Sequence, residues 1–424
     1  MKNYFLPLFL LAFCLQGIAQ DADFIRTDIF PFQPQHVHGA TLAELPNGDI
    51  LVAWFQGSGE RQADDVAIMG ARKDKKSGKW SPPFQMADVP DFPDINPVLF
   101  LDPQKQLWLV WYTVLANQWE TSLLKYRISD NYLKPGPPVW KWQEVIHMKP
   151  GGKTEQGITP DDPFALAVRE KFEEYGKTIE ATGGFSTMGE ADSQAARERF
   201  HQRVTELNDL AEGKDWIAKG KGYPRFRRLG WQTRNKPLFL ADGKMILPLY
   251  SDGFDFSIMA MTENLGKTWT FSEPLVGLGP VQPALLEKKD GTIVALMRDN
   301  GPPPQRLMWS QSTDSGLHWS PVTDTEIHNP GSAADAVKLR DGRWLLVHND
   351  TEDGRHSLAV SVSTDEGTTW RLLTHLETDP SARSHYPAII EGHDGRIHIV
   401  YSFHKKDSEG KELKLIRYAA WKVK

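Results

Sequence analysis

An eight-residue motif recurs three times in this chain: Thr262-Glu263-Asn264-Leu265-Gly266-Lys267-Thr268-Trp269, Ser312-Thr313-Asp314-Ser315-Gly316-Leu317-His318-Trp319 and Ser363-Thr364-Asp365-Glu366-Gly367-Thr368-Thr369-Trp370. Lys76-Ser77-Gly78-Lys79-Trp80 is a worn fourth copy. An Asp or Asn that folds onto nearby backbone N–H groups, a Gly for the φ > 0 position and a Trp that plugs an apolar slot are the parts of a tight hairpin. A second motif keeps the same period. Asn47-Gly48, Asp242-Gly243, Asp290-Gly291, Asp341-Gly342 and Asp394-Gly395 each join two apolar runs, the signature of a hairpin between strands. Leu101-Asp102-Pro103-Gln104 before Leu107-Trp108-Leu109-Val110-Trp111 makes a sixth, without its glycine. From Gly243 through Gly291 and Gly342 to Gly395 the steps are 48, 51 and 53 residues, and each clear box glycine follows its hairpin glycine by 23 to 25. Two hairpins per period of about 50 residues make one four-stranded blade, and radial repetition of blades makes a propeller. Six hairpins predict an all-β chain, a six-bladed β-propeller of four-stranded antiparallel blades.

Residues 24–32 read as a strand that closes the ring by joining the last blade, because first and last elements need a latch. Blade one is expected at about residues 36–84 and blade two at about 94–147; blades three to six begin near Arg225, Gly279, Ser332 and Arg383. Between Gly151 and Gly222 the pattern breaks. Residues 164–175 and 191–210 carry helix formers with helical apolar spacing, flanked by Gly183-Gly184 and by 220–222. Residues 151–222 are therefore a helical insertion between blades two and three, on a face of the propeller, where it serves as a lid, a partner surface or a tolerated insertion.

Residues 1–19 read as a signal peptide: Lys2, an apolar run from Tyr4 to Cys14, then Gly17-Ile18-Ala19 before Gln20. The propeller then occupies 20–424, exported to the periplasm or the medium. Cys14, the single cysteine, leaves with the signal, which excludes a disulfide or a cysteine-ligated metal. No later run approaches the roughly 20 apolar residues of a membrane span. A formal net charge of −6 argues against nucleic acid and anionic membranes as partners. The 15 tryptophans exceed what the boxes use, which suits a sugar-binding cleft as well as packing between blades.

In a propeller the innermost strands converge on one axis, and the repeat says which residues arrive there. Nine positions before the hairpin glycines stand Gly39, Arg234, Gln282, Ala333 and Tyr386, with His38 and Ser332 adjacent. Six or seven positions after the hairpin glycine or its equivalent stand Trp54, Tyr112, Tyr250, Arg298, Asn349 and Tyr401. Two arginines and a tyrosine at axial positions call for an anion, since buried guanidinium groups are costly unless one meets them. A carboxylated ligand satisfies that need.

On these boxes and axial residues the chain resembles the sialidases, or neuraminidases, over nearly all of the propeller except the insertion. The resemblance implies a glycan substrate and assigns roles. Ser384-His385-Tyr386 matches the place of the family's tyrosine nucleophile on the last blade. Arg234 and Arg298 match, by blade position, two of the arginines that grip the sugar carboxylate. The family's acid/base aspartate lies on the loop after blade one's hairpin, where Gly59-Glu60-Arg61-Gln62-Ala63-Asp64-Asp65 offers Glu60 or Asp65. Two departures stand beside these matches. His36-Val37-His38 replaces the family's first arginine, and Gln282 in Val281-Gln282-Pro283-Ala284 replaces the glutamate that deprotonates the tyrosine. Glutamine cannot take a proton. Either His38, Asp335 or His385 assumes that task, or the reaction differs.

Each candidate also has a structural reading. Tyr386 could be an inner-strand packing residue, Arg234 and Arg298 could pair with Asp252, Asp299 or Asp335, and Glu60 and Asp65 could be solvated. His36 and His38 have the i, i+2 spacing of a metal pair, but spacing implies no third ligand, so neither metal nor cofactor is expected. The expectation is an exported glycoside hydrolase that removes a terminal acidic sugar, sialic acid foremost. Arg234, Arg298, Trp54 and Asp335 would bind it. The alternatives are a glycosidase for another sugar, such as a uronic acid or a deoxy-sugar, with histidine as acid/base, a non-catalytic glycan-binding propeller, and a scaffold with a plugged funnel. Oligomeric state is not legible.

Overall fold

The computed structural model describes residues 24–150, 163–183, 190–211 and 228–423. The signal segment with Cys14, the stretch Gly220 to Gly222 and Arg225 lie outside the described residues. Six antiparallel sheets follow one another around an axis, each a blade. The Asx-Gly hairpins join the first and second strands of the blades, as between His36–Glu44 and Ile50–Gly57, and the boxes join the third and fourth, as between Leu358–Ser363 and Arg371–Glu377. Ile25–Asp28 pairs with Glu412–Lys422 and becomes the outer strand of blade six, so the first and last described strands close the ring. Blade three departs from regularity. Its inner strand is broken into Gln232–Thr233 and Leu238–Phe239 around Arg234 to Pro237.

The boxes show why the repeat folds this way. Asp365 accepts the Thr369 amide at 2.9 Å, Ser363 Oγ accepts the Gly367 amide at 2.9 Å, and Trp370 Nε1 donates to the Gly367 carbonyl at 3.1 Å. Gly367 takes φ +85°, and a Cβ there would lie 2.8 Å from Trp344. Gly367→Ala combines a left-handed backbone with overpacking and is expected to cost about 2–4 kcal/mol. Denaturant unfolding measures it; a loss under about 0.5 kcal/mol would mean that the box does not clamp its blade.

The insertion forms α1 (Pro163–Thr182) and α2 (Glu190–Ala211). Phe164, Val168, Phe172 and Tyr175 make a buried stripe at helical spacing that packs under Trp231 and Phe256 of blade three and beside Leu278 of blade four. From α2, Arg199 and Arg203 both reach Asp255 on blade three's inner end. The helices are thus part of the core, with one edge tied to the rim of the funnel. Among the described residues no helix is long and apolar enough to cross a membrane.

Candidate functional site

The inner strands do not run straight into the axis. In four blades a β-bulge interrupts the ladder, between His38 and Thr41, Ile95 and Val98, Val281 and Ala284, and His385 and Ala388. The bulged residue is left-handed in each: Gly39 at φ +66°, Asn96 at +48°, Gln282 at +56° and Tyr386 at +55°. For three side-chain-bearing residues this conformation costs on the order of 1–3 kcal/mol each, a strain that persists where the bulge aims a side chain at a site. Gln282 and Tyr386 are thereby turned into the funnel, and Asn96 joins them. Asn96 had a readable signal: Asn96-Pro97 repeats Gln282-Pro283 and Tyr386-Pro387, and nine residues on stands Lys105, which takes φ +60° in place of the hairpin glycine.

The second strands return to the funnel with strict alternation. Residues seven after the hairpin position, Phe55, Tyr112, Tyr250 and Arg298, line it, and the blade-six equivalent, Ser402, bonds His38 at 2.9 Å. Residues six after it, Trp54 and Tyr401, sit one step out of register on the opposite face. Trp54 is fully buried 4.9 Å from Phe30 and gives its Nε1 to Gln56, so it does not line the funnel as a substrate-binding residue should. Tyr401 is buried against Glu377.

The funnel is a cleft of ≈ 380 Å³ lined by His38, Glu60, Asn96, Asp252, Gln282, Arg298 and Tyr386 among others, with Trp119 under Arg61 at its rim. Its floor is a hydrogen-bonded row. Asn96 Nδ2 donates to the hydroxyls of Tyr112 (3.1 Å) and Tyr250 (3.3 Å), and Gln282 Nε2 donates to those of Tyr250 (3.2 Å) and Tyr386 (3.3 Å). Burial raises the phenols of Tyr112 and Tyr250 above their ordinary value, so both stay protonated. The row continues outward: Arg298 donates to Tyr386 (3.1 Å) and to Asn300 (3.1 Å), and Asn300 donates to Asp255 (2.6 Å), the residue that Arg199 and Arg203 hold. The insertion is thus wired to the tyrosine.

Three guanidinium groups surround Tyr386. Arg298 touches its hydroxyl, Arg234 lies 5.2 Å from its ring centre and Arg355 5.9 Å. None of the three makes an ion pair among the described residues. Arg234 is buried beneath the ring, where one Nη bonds the Pro387 carbonyl at 2.9 Å while Nε and Nη1 lack partners; it does not line the cleft. Arg355, which the repeat did not single out, gives one Nη to the Gly331 carbonyl and lines an adjoining cavity of ≈ 440 Å³ that meets the funnel at His38 and Glu60.

Asp335 is a structural staple below the funnel. Lys236 Nζ donates to both of its oxygens at 2.7 Å and the Ile389 amide adds a third bond, while Asn235 spans to the carbonyls of Gln282 and Ala334. These residues close the axis from below and leave the cleft above open. Asp65 is likewise occupied, on the amide and hydroxyl of Ser58, and does not line the cleft.

Among the described residues two carboxyl groups do line it, in opposite environments. Burial acts to raise Glu60, but His36 Nε2 at 3.0 Å, with Arg61 and Lys414, outweighs it and holds the group below the ordinary carboxylate range. Asp252 is desolvated by the funnel wall and pushed up to about 6, against the pull of Arg298 and with help from Asp255. One is a standing carboxylate, and the other keeps its proton up to a pH of about 6. His38 and His385 are held well below the usual histidine value by burial and by neighbouring cationic groups, so they are uncharged.

A family model for the BNR repeat-like domain matches residues 48–167 and 192–399, which is most of the chain. This chain belongs to the BNR repeat-like family. As a BNR propeller it overlays a protein of unknown function from Dyadobacter fermentans with a TM-score of 0.61 at 14% identity, covering 95% of this chain and 100% of that one. The Hadza microbial sialidase Hz136 overlays with a TM-score of 0.59 at 16% identity over 91% of this chain and 66% of that one. The intramolecular trans-sialidase from Ruminococcus gnavus gives 0.59 at 13% identity over 92% and 94%. Among curated proteins none matches the chain. At these identities the likeness is one of fold: a sialidase-like BNR propeller.

Proposed function

We propose that this BNR propeller is an exported glycoside hydrolase that removes a terminal, carboxylate-bearing sugar from glycans, with sialic acid the foremost substrate. The observation that carries the reading is the set of three arginines around Tyr386 without a carboxylate partner. Arg298 and Arg355 are half-buried and Arg234 fully buried, a costly state for cations unless an anion arrives, and a planar sugar carboxylate suits the forks of the two that face the cavities. In this reading Arg298 and Arg355 hold the carboxylate, and Arg234 positions the tyrosine from beneath. The Tyr386 oxygen faces the oxocarbenium-like centre, and Asp252 protonates the leaving oxygen. Glu60, the acid suggested by its loop, instead supplies negative charge or takes a proton from water.

The pH profile tests this. Asp252 must be protonated to act as the acid, so kcat/KM on a 4-methylumbelliferyl sialoside is expected to fall as pH rises through about 6. In Asp252→Asn that limb should vanish and the rate should drop by about 10²-fold or more. An unchanged profile in the variant removes Asp252 from the mechanism.

A second reading, a glycan-binding propeller without turnover, draws support from Gln282. Neither Gln282 Nε2 nor Arg298, the two hydrogen-bond partners of the Tyr386 hydroxyl, can accept its proton. Saturable sugar binding with no turnover by the wild type would select it.

A further inference from the structure

We propose that His38, His385 and His404 form a metal centre for a first-row divalent cation of the zinc class, placed at the seam where the ring of blades closes. One nitrogen of each imidazole lies within 4.8 Å of one nitrogen of the others. In a tetrahedral zinc site, with Zn–N of about 2.0–2.1 Å, ligand nitrogens are separated by about 3.4 Å, so modest side-chain rotation closes the set. The i, i+2 pair His36 and His38 is not the chelate. The other two ligands come from blade six, where His385 is the residue before the bulged Tyr386 and His404 lies on the next strand. Ring centres are 4.6 Å apart for His38 and His385 and 4.5 Å for His385 and His404.

The outer contacts leave ligand nitrogens available. His404 Nε2 lies 3.0 Å from the Val37 carbonyl, which can only accept; Nε2 therefore carries the proton and Nδ1 keeps a lone pair. His38 Nδ1 lies 2.9 Å from Ser402 Oγ, leaving Nε2 for a metal. His385 Nδ1 is buried with no hydrogen-bond partner among the described residues. Fixing one imidazole nitrogen by a carbonyl or hydroxyl while the other faces inward is how proteins orient metal-bound histidines. All three side chains are 4–6% exposed, as a preformed centre requires and solvated histidines would not be.

The surrounding charges permit a dication. In the adjoining cavity Arg383 and Lys414 are both engaged by Glu412, and His36 by Glu60, which among the described residues leaves Arg355 as the cation without a carboxylate. Three histidines facing a cavity of ≈ 440 Å³ leave a coordination position for water or an anionic oxygen donor. Because His38 belongs to blade one and the others to blade six, the ion would also latch the ring beside Ile25–Asp28.

The test reads metal and stability, not sugar chemistry, so it stands or falls apart from the hydrolase reading. Tag-free protein, stripped with EDTA, is titrated with zinc chloride by calorimetry and analysed for metal content. One zinc per chain is expected, with Kd of about 1 µM or tighter, and a Tm that rises with zinc because the unfolded chain lacks the site. His385→Gln and His404→Gln should each weaken binding by about 100-fold or more, whereas His398→Gln, a buried histidine of the same blade outside the cluster, should not. The wild type does not depend on how the variants fold. If it takes up neither zinc nor cobalt at micromolar concentration, or if both glutamine variants bind as the wild type does, the centre does not exist.

Discussion

Tyr386→Phe is expected to lower kcat/KM by about 10³-fold while leaving Tm within about 2 °C of the wild type. The substitution removes one oxygen and keeps a ring that packs against His38 at 4.1 Å between centres, over Arg234 and beside Arg355. What is lost is the group at which Arg298 and Gln282 both aim their protons. Those donors then face an apolar edge, and the charge that develops at the sugar's reacting carbon has no oxygen beside it. Unfolding experiments and kinetics on the same preparation separate the two effects. Equal turnover by variant and wild type would make Tyr386 a packing residue.

Arg298→Ala should separate activity from stability even more sharply. If Arg298 holds the sugar carboxylate as proposed, its loss is expected to lower kcat/KM by about 10²- to 10³-fold with KM raised, and Arg298→Lys should not restore it, because an ammonium lacks the planar fork. Stability should not fall in step. Arg298 is bound by the Tyr386 hydroxyl and the Asn300 amide oxygen and makes no ion pair among the described residues, so its removal relieves a desolvated charge. Its positive charge also holds Asp252 down. Without it the Asp252 acid stays protonated to higher pH, and the alkaline limb of residual activity should move upward. A limb that does not move would disconnect the two residues.

The architecture was legible because it repeats. Glycines at constant spacing, a Trp closing each box and an Asx before each hairpin glycine fix strand order independently of any one strand's propensity. The axial set was partly legible for the same reason: counting nine back from the hairpin reached Gln282 and Tyr386. Counting six or seven forward found Tyr112, Tyr250 and Arg298, but the one-residue ambiguity swept in Trp54 and Tyr401, which alternation sends to the other face. Asn96 escapes the count because its hairpin lacks the glycine that marks it. Arg355 and Asp252 lie in loops outside the repeat, and His404 on a second strand becomes a neighbour of His38 only when the ring closes. None of those juxtapositions has a local sequence signature. The packing of α1 and α2 into blades three and four, rather than across the funnel, likewise depends on contacts far apart in the chain.

The central claim is that the funnel acts on a sugar carboxylate, and the most direct measurement compares release of 4-methylumbelliferone from its sialic acid glycoside with release from the carboxyl methyl ester of the same glycoside. Turnover of the acid is expected, with a loss of about 10²-fold or more on the ester, since esterification removes the charge that Arg298 and Arg355 are proposed to meet. Equal turnover of acid and ester, or turnover of neutral glycosides alone, would contradict it.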